Sequence, residues 1–391
     1  MSGSELHHRP RGVRRGAALT LVFASVLATA AATNSLPRSD EKSPALPLRA
    51  ASSTVHGEDV ARAAAEAMAD GKSATEAAEE VVSRSGDRWG AVYDKSEYEE
   101  FEQGLDGRYT GVGLAARGAA GGLVEVTRVQ PGAPADRAGI RAGDTVRTVD
   151  GASVAKRPVT EVMALLRGDS ETKSARPGSA VVLGLERGGR HLTRTVRRAE
   201  LTTESVTVAT LAGGARLIKV ESFTKGTGAR VRDAVLDAPA KAGVLLDLRG
   251  NGGGLVSEAV KAASAFLDGG LVATYDINGD QRVLNADPGG DTTRPLVVLV
   301  DSGTMSAAEL VTGALQDRGR SITVGARTFG KGSVQMPSKL PDGSVAELTV
   351  GHYRTPAGHG VDGRGITPDV QVSERAQERA RTVLSGLGGN G

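Results

Sequence analysis

Residues 296–335 read LVVLVDSGTMSAAELVTGALQDRGRSITVGARTFGKGSVQ, and the fold is decided here. The stretch opens on five apolar residues, Leu296 to Val300, the pattern of a strand buried on both faces of an α/β sheet. Asp301-Ser302-Gly303-Thr304 are turn formers. Beyond them Ala307, Ala308, Leu310, Val311, Ala314 and Leu315 recur at helical spacing. Ser306 therefore falls where a strand turns into a helix, with its hydroxyl at the helix mouth. The Ala307 amide is among the donors left without a partner inside that helix. A second strand is predicted at 321–324. Gly330-Lys331-Gly332 follows, and Gln335 stands four residues beyond the lysine.

These residue types point to a chemistry without proving it. A serine hydroxyl needs a base before it attacks anything. Lys331 is such a base if burial disfavours its ammonium form, and the bare glycines beside it let the backbone come close. Taken alone, the pattern fits a helix N-cap and a solvated turn lysine better than a catalytic pair.

The wider wording changes the balance. DLRGNGGG at 247–254, SAAE at 306–309, GALQDRGR at 313–320 and TFGKGSVQ at 328–335 occur in this order. Together they resemble the carboxy-terminal processing proteases, Ser-Lys peptidases that carry a PDZ domain, and the resemblance runs from about Trp89 to about Val372. It implies an α+β multidomain chain: an N-terminal helical segment, then a PDZ-like β-rich module inserted before an α/β crotonase/Clp-like peptidase core. It also implies Ser306 as nucleophile and Lys331 as general base, its amine within hydrogen-bonding reach of the serine hydroxyl. Gln335 would orient the lysine, and the amides of Gly252 and Ala307 would form the oxyanion hole. Glu309 and Asp317 lie eight apart on the helix after Ser306, hence on roughly one face. Structural hydrogen bonding beneath the site outweighs a paired-carboxylate acid/base site for these two, and Asp317 falls where the family supports its catalytic region.

Composition removes several function classes. The 391 residues contain no cysteine, which excludes disulfides, lipid attachment to cysteine and thiol catalysis. Gly 53 and 3% aromatics suit many tight turns around an aliphatic core. The formal charge is +2, but residues 1–32 hold four arginines and one glutamate, so the remainder is close to neutral. No basic stripe remains, and nucleic acid is not an expected partner. Six scattered histidines without an HExxH motif give no metal site, and no cofactor is expected. No Gly-Lys-Ser/Thr follows the glycines at 250–254, which argues against a nucleotide loop. His352 and His359 offer a rival Ser-His-Asp triad, yet neither falls on a catalytic position of the family.

In order along the chain, residues 1–32 read as a signal peptide or membrane anchor. Arg9, Arg11, Arg14 and Arg15 precede an apolar run, 17–32, that ends in small residues. That run is short of the roughly 20 residues a spanning helix needs, so cleavage after Ala30 or Ala32 is preferred, with membrane association through this segment as the alternative. Residues 33–57 are a flexible tether. Residues 58–104 carry two helical stripes. A supporting hairpin is preferred there, although in some family members this region pairs with a second subunit, which leaves a homo-oligomer open.

Residues 105–200 look like a PDZ domain, from Gly111-Val112-Gly113-Leu114 and PGAPADRAGIRAGD at 131–144. Amides of Val112, Gly113 and Leu114 would hold a chain-terminal carboxylate, and the peptide would add a strand to the sheet edge. The helix carrying Val162, Leu165 and Leu166 would wall the groove. A polar insert, 169–176, departs from the family's pattern. Residues 201–375 form the peptidase core and 376–391 a short tail.

The sequence therefore reads as an exported serine endopeptidase that takes proteins or peptides with free C-termini and cuts near those ends. A catalytically silent extracytoplasmic PDZ scaffold is the first alternative. A crotonase-like acyl-CoA enzyme is the second, disfavoured by the leader and the PDZ-like module.

Overall fold

The structure is a computed structural model that describes residues 57–119, 121–168, 176–239, 242–277 and 280–388. The leader, the tether and nearly all of the 169–176 insert lie outside the described residues.

The described chain opens with two antiparallel helices, α1 (Gly57–Ala69) and α2 (Ala74–Arg84). Ser73 caps the second by accepting the Glu76 amide, which meets one of the helix's unpaired donors. β1 (Ala91–Tyr93) follows, then α3 (Lys95–Leu105). Asp94 and Glu97 form a reciprocal capping box there, each side chain accepting the other's amide at 2.8 Å. The apolar stripe Val60, Ala64, Ala74, Ala78 and Val82 shares one core with Val92, Leu340, Ala346 and Leu348. The hairpin thus supports the strands that lead away from Lys331.

β2 (Arg108–Gly111) begins a second unit comprising β3 (Leu114–Ala119), β4 (Leu123–Val129), α4 (Pro134–Arg137), β5 (Thr145–Val149), β6 (Ala152–Ser153), α5 (Val159–Arg167), β7 (Ala180–Arg187), β8 (Arg190–Arg197) and β9 (Ala199–Thr202). Its sheet runs β3-β4-β5-β7-β8, so β3 is an edge strand, and α5 lies against it. Val124, Val126, Val146, Val181, Leu183 and Leu185 alternate inward to form the core. The buried Arg198 donates to the Leu165 and Leu166 carbonyls at the end of α5 and to the Ala180 carbonyl of β7. β2 pairs with β9, so the chain enters and leaves this unit side by side.

The last unit contains β10 (Val206–Thr210), β11 (Arg216–Val220), α6 (Thr227–Leu236), β12 (Val244–Asp247), α7 (Val256–Ser264), β13 (Leu271–Ile277), β14 (Asp280–Asn285), β15 (Leu296–Val300), α8 (Ala307–Asp317), β16 (Ile322–Gly325), β17 (Ser333–Lys339), β18 (Val345–Arg354), β19 (Val370–Gln371) and α9 (Ala376–Gly386). Its sheet order is β10-β11-β12-β15-β16-β19. β11, β12, β15, β16 and β19 are parallel neighbours, and β10 is antiparallel at the edge. β12 and β15 are buried along their whole length, because α6, α7 and α8 share the core on one face and α9 covers the other. Leu310, Val311 and Leu315 are buried in α8, each contributing roughly 1.5–3 kcal/mol. A second sheet, β1-β18-β13-β14 with β17 on the outer side of β18, stands beside it and brings β17 to the mouth of α8. No described helix is long and apolar enough to cross a membrane.

The strands expected at 296–300 and 321–324 are found at Leu296–Val300 and Ile322–Gly325. α7 ends at Ser264, where the Ser264 hydroxyl bonds back to the Val260 carbonyl and 3₁₀-type bonds from Ala265 and Phe266 close the last turn.

Candidate active site

The turn between β15 and α8 sets the position of Ser306. The residue has φ 55° and ψ −119°, a left-handed setting that a side chain with a Cβ avoids at a cost of about 1–3 kcal/mol. Several bonds hold it there. Its amide donates to the Glu309 carboxylate at 2.9 Å, and its carbonyl accepts the Tyr353 hydroxyl at 3.0 Å. The preceding amide, of Met305, donates to the Asn251 carbonyl. Ser306 opens on a cleft of about 90 Å³ whose apolar lining is Val256, Tyr275, Leu284, Leu310, Val334 and Tyr353.

The glycine-rich loop after β12 lies against this turn. Asn251 organises it, donating to the Val220 carbonyl at 2.9 Å and accepting the Gly253 amide at 2.8 Å. The Gly250 amide goes to Asp301. Neither Gly252 nor Ala307 has an acceptor for its amide among the described residues, so both donors are available beside the serine. Gly253 is required by contact: a Cβ there would stand 2.9 Å from Ser306 Cβ and 3.2 Å from the Ala307 nitrogen, at φ 103°.

Glu309 is fully buried and ties the two motif segments together. One carboxylate oxygen accepts the Thr328 hydroxyl at 2.5 Å and the Gly330 amide at 2.7 Å. The other accepts the amides of Ser306 and Lys331, both at 2.9 Å. Burial raises the carboxyl's pKa, and these four donors pull it back. Glu309 thus hydrogen-bonds the main chain on both sides, at Ser306 and at Gly330-Lys331. Asp317 ends the same helix, about 12 Å along its axis at 1.5 Å per residue. It holds the loop after β18 by accepting the Ala357 amide at 2.9 Å, with His359 at 3.8 Å. The two carboxylates do not share a site.

Lys331 departs from expectation. No hydrogen bond joins its amine to Ser306; the nitrogen lies over the Trp89 ring, 4.9 Å from its centroid. The π face attracts a cation, and Glu347, Asp87 and Asp362 pull the same way. Burial nevertheless dominates and lowers the amine's pKa. Burial raises the pKa of Glu347, and Lys331 opposes that rise. Gln335 likewise does not bond the lysine. Its amide donates to the Ser333 hydroxyl at 2.8 Å and the Thr349 hydroxyl at 3.3 Å. His352 pairs with Asp362 at 3.8 Å, so neither histidine is paired with Ser306.

In the PDZ-like unit, Val112, Val162 and Leu166 are core residues and Leu114 is nearly so. Leu165, Met163 and Val159 are the partly exposed apolar residues of α5. The Gly113 carbonyl accepts the Gln130 amide. Among the described residues no cluster of three or more metal-ligating side chains exists.

Sequence reasoning passed over Tyr353, Thr328, Asn251, Thr349 and Trp89. Thr328 and Asn251 stand inside quoted motifs and were legible there as polar residues flanking glycines. Tyr353 and Thr349 come from β18, and nothing in their spacing announces the site.

Residues 216–372 match the profile of peptidase family S41 and residues 125–173 that of the PDZ domain. A chloroplastic C-terminal processing peptidase of Tetradesmus obliquus is 38% identical over 291 residues, which make up 69% of this chain and 61% of that protein. The carboxy-terminal processing protease CtpA of Bacillus subtilis is 32% identical, over 73% of this chain and 61% of its own length. The chain thus spans about three fifths of the curated relatives it matches. Among solved structures, a photosystem II D1 C-terminal processing protease shares 31% identity with a TM-score of 0.50, covering 81% of this chain and 86% of that one.

Proposed function

The chain belongs to peptidase family S41, and from that membership and the Ser306–Glu309–Lys331 arrangement we propose that it is a serine endopeptidase cutting proteins near their C-termini. The observation that carries this reading is the strained Ser306 at the mouth of an apolar cleft, tied through one buried carboxylate to a lysine whose amine burial makes less basic.

In this reading the neutral Lys331 amine turns from the Trp89 face to Ser306 and takes the hydroxyl proton as the oxygen attacks the scissile carbonyl. Free amides of Gly252 and Ala307 receive the developing negative charge, an interaction whose loss typically costs about 3 kcal/mol. The C–N bond breaks as the lysine passes its proton to the leaving amine, and water then hydrolyses the acyl-enzyme. Gln335, anchored on Ser333 and Thr349, would orient the amine as it turns. The cleft suits an apolar side chain next to the cut.

The edge strand β3 and helix α5 would receive the substrate's C-terminus by strand addition. Protein or peptide substrates with free C-termini are accordingly the proposed partners. The division into helical (58–104), PDZ (105–200) and peptidase (201–375) regions belongs to the same proposal, supported by the β2–β9 pairing where the chain enters and leaves the middle unit. Export across the membrane rests on the basic and apolar start of the chain.

The test is cleavage of a quenched fluorogenic peptide with an apolar free C-terminus. Ser306→Ala and Lys331→Ala are each expected to abolish cleavage while thermal unfolding stays native-like. Activity should rise with pH along one ascending limb whose midpoint lies below the ordinary lysine range, since only the uncharged amine accepts a proton. A purified, folded Lys331→Ala protein that still cleaves at the wild-type rate refutes the reading.

A further inference from the structure

The turn at residues 87–90, which joins α2 to β1, has no part in the roles assigned so far, yet it reaches Lys331 directly and Gln335 through Thr349. Trp89 is the chain's single tryptophan. Its ring lies 4.9 Å from the Lys331 amine and 5.8 Å from the Phe329 ring, so it touches the TFGKG turn at two points. Asp87 anchors Trp89 by accepting its amide at 3.0 Å and the Gly90 amide at 2.9 Å. The same carboxylate accepts both the amide and the hydroxyl of Thr349 at 2.8 Å, and Thr349 in turn accepts Gln335. The ring is therefore fixed on β18, the strand that also carries Glu347 and Tyr353.

We propose that Trp89 is a positioning residue for Lys331: its ring is the wall that keeps the resting amine dry before it turns to Ser306. This rests on the reading of Lys331 as the general base. The charges facing the amine are Glu347 from β18, Asp87 from the turn and Asp362 from the loop before β19, all of which favour the ammonium form. Arg88, whose guanidinium lies 4.8 Å from the centroid of the same ring, disfavours it. The ring face itself attracts a cation. Exclusion of water opposes these attractions, and burial wins. Removing the wall should therefore admit water and make the amine more basic.

The experiment measures how fast a fluorophosphonate probe labels Ser306 in the full chain as pH is raised, for wild type and for Trp89→Phe, Trp89→Gln and Trp89→Ala. In the Ala and Gln variants the midpoint of the ascending limb is expected to move up by about one unit, making labelling below the limb about tenfold slower. Phe restores the wild-type midpoint, because it supplies an apolar wall with a π face. A purely structural role would lower thermal stability or the high-pH plateau without moving the midpoint. Should Ala fail to fold, Gln carries the same criterion. An unmoved or lowered midpoint in the folded Ala or Gln variant overturns the inference. Full labelling of Lys331→Ala would instead strike the general-base reading beneath it.

Discussion

Replacing Glu309 separates a clamp from a bystander. The carboxylate accepts four donors, two on each oxygen. Glutamine keeps one acceptor oxygen and turns the other position into a donor. If the retained oxygen faces Ser306 and Lys331, the new NH₂ group can donate to the Thr328 hydroxyl, which already accepts the Ile366 amide at 2.6 Å. The Gly330 amide is then orphaned, at about 1–3 kcal/mol, and the Thr328 hydroxyl proton, which Glu309 accepts in the wild type, must turn to another acceptor. Leucine leaves all four donors unpaired in a buried site, on the order of 4–12 kcal/mol, comparable with the whole stability of a typical domain. Glu309→Gln should therefore lower the unfolding midpoint by about 2–12 °C at the 2–4 °C per kcal/mol usual for this size. Glu309→Leu should not hold the native turn, and its probe labelling should fall at least about a hundredfold, since a displacement near 1 Å has that effect. Trp89 stands next to the catalytic turn, so its intrinsic fluorescence follows the unfolding of this region rather than of the PDZ-like unit. A Glu309→Leu protein with wild-type fluorescence melting and labelling would show that the carboxylate holds nothing together.

Two further outcomes follow from the same geometry. Lys331→Met should stabilise the protein at neutral pH. The folded amine's pKa is depressed, so the fold disfavours the proton there, and wild-type stability recovers only as pH climbs toward the unfolded lysine's range; the gap between the two melting curves should narrow at alkaline pH, and a gap that widens contradicts the burial argument. Val256→Phe fills part of the cleft beside Ser306 and should shift preference from bulky apolar residues toward alanine at the cut by about tenfold in kcat/KM, read with a pair of fluorogenic peptides.

The alternation of apolar runs, turns and helical stripes made the parallel core legible. Leu296–Val300 can be buried on both sides only in a covered sheet, and the Ser306 turn follows from its residue types. Sequence order carried the motifs as well, because the glycine loop and the serine follow β12 and β15 of the parallel sheet and the lysine precedes β17 of its neighbour. Side-chain partners brought in by distant strands were not legible. Tyr353 and Thr349 lie in an alternating strand whose faces look alike until β17 and β13 pair with it, so nothing marks them as neighbours of Ser306 and Gln335. The lysine's resting contact is not legible for a related reason: the amine at the end of a four-carbon stem is placed by whatever surrounds it, and its surroundings come from residues 87–90 and 347–362 rather than from the TFGKG turn.

These two kinds of legibility correspond to two kinds of control in the site. The main chains of Ser306, Gly330 and Lys331 are bonded to one buried carboxylate, so the spacing of these two backbone segments is fixed by the core and shares its stability. The amine's charge is set elsewhere, by the balance among Trp89, Asp87, Glu347 and Asp362, on an N-terminal turn, a strand and a loop that do not carry Ser306. Substitutions in that second set can move the pH range of the base without touching the geometry of the serine, whereas substitutions at Glu309 cannot alter one without the other.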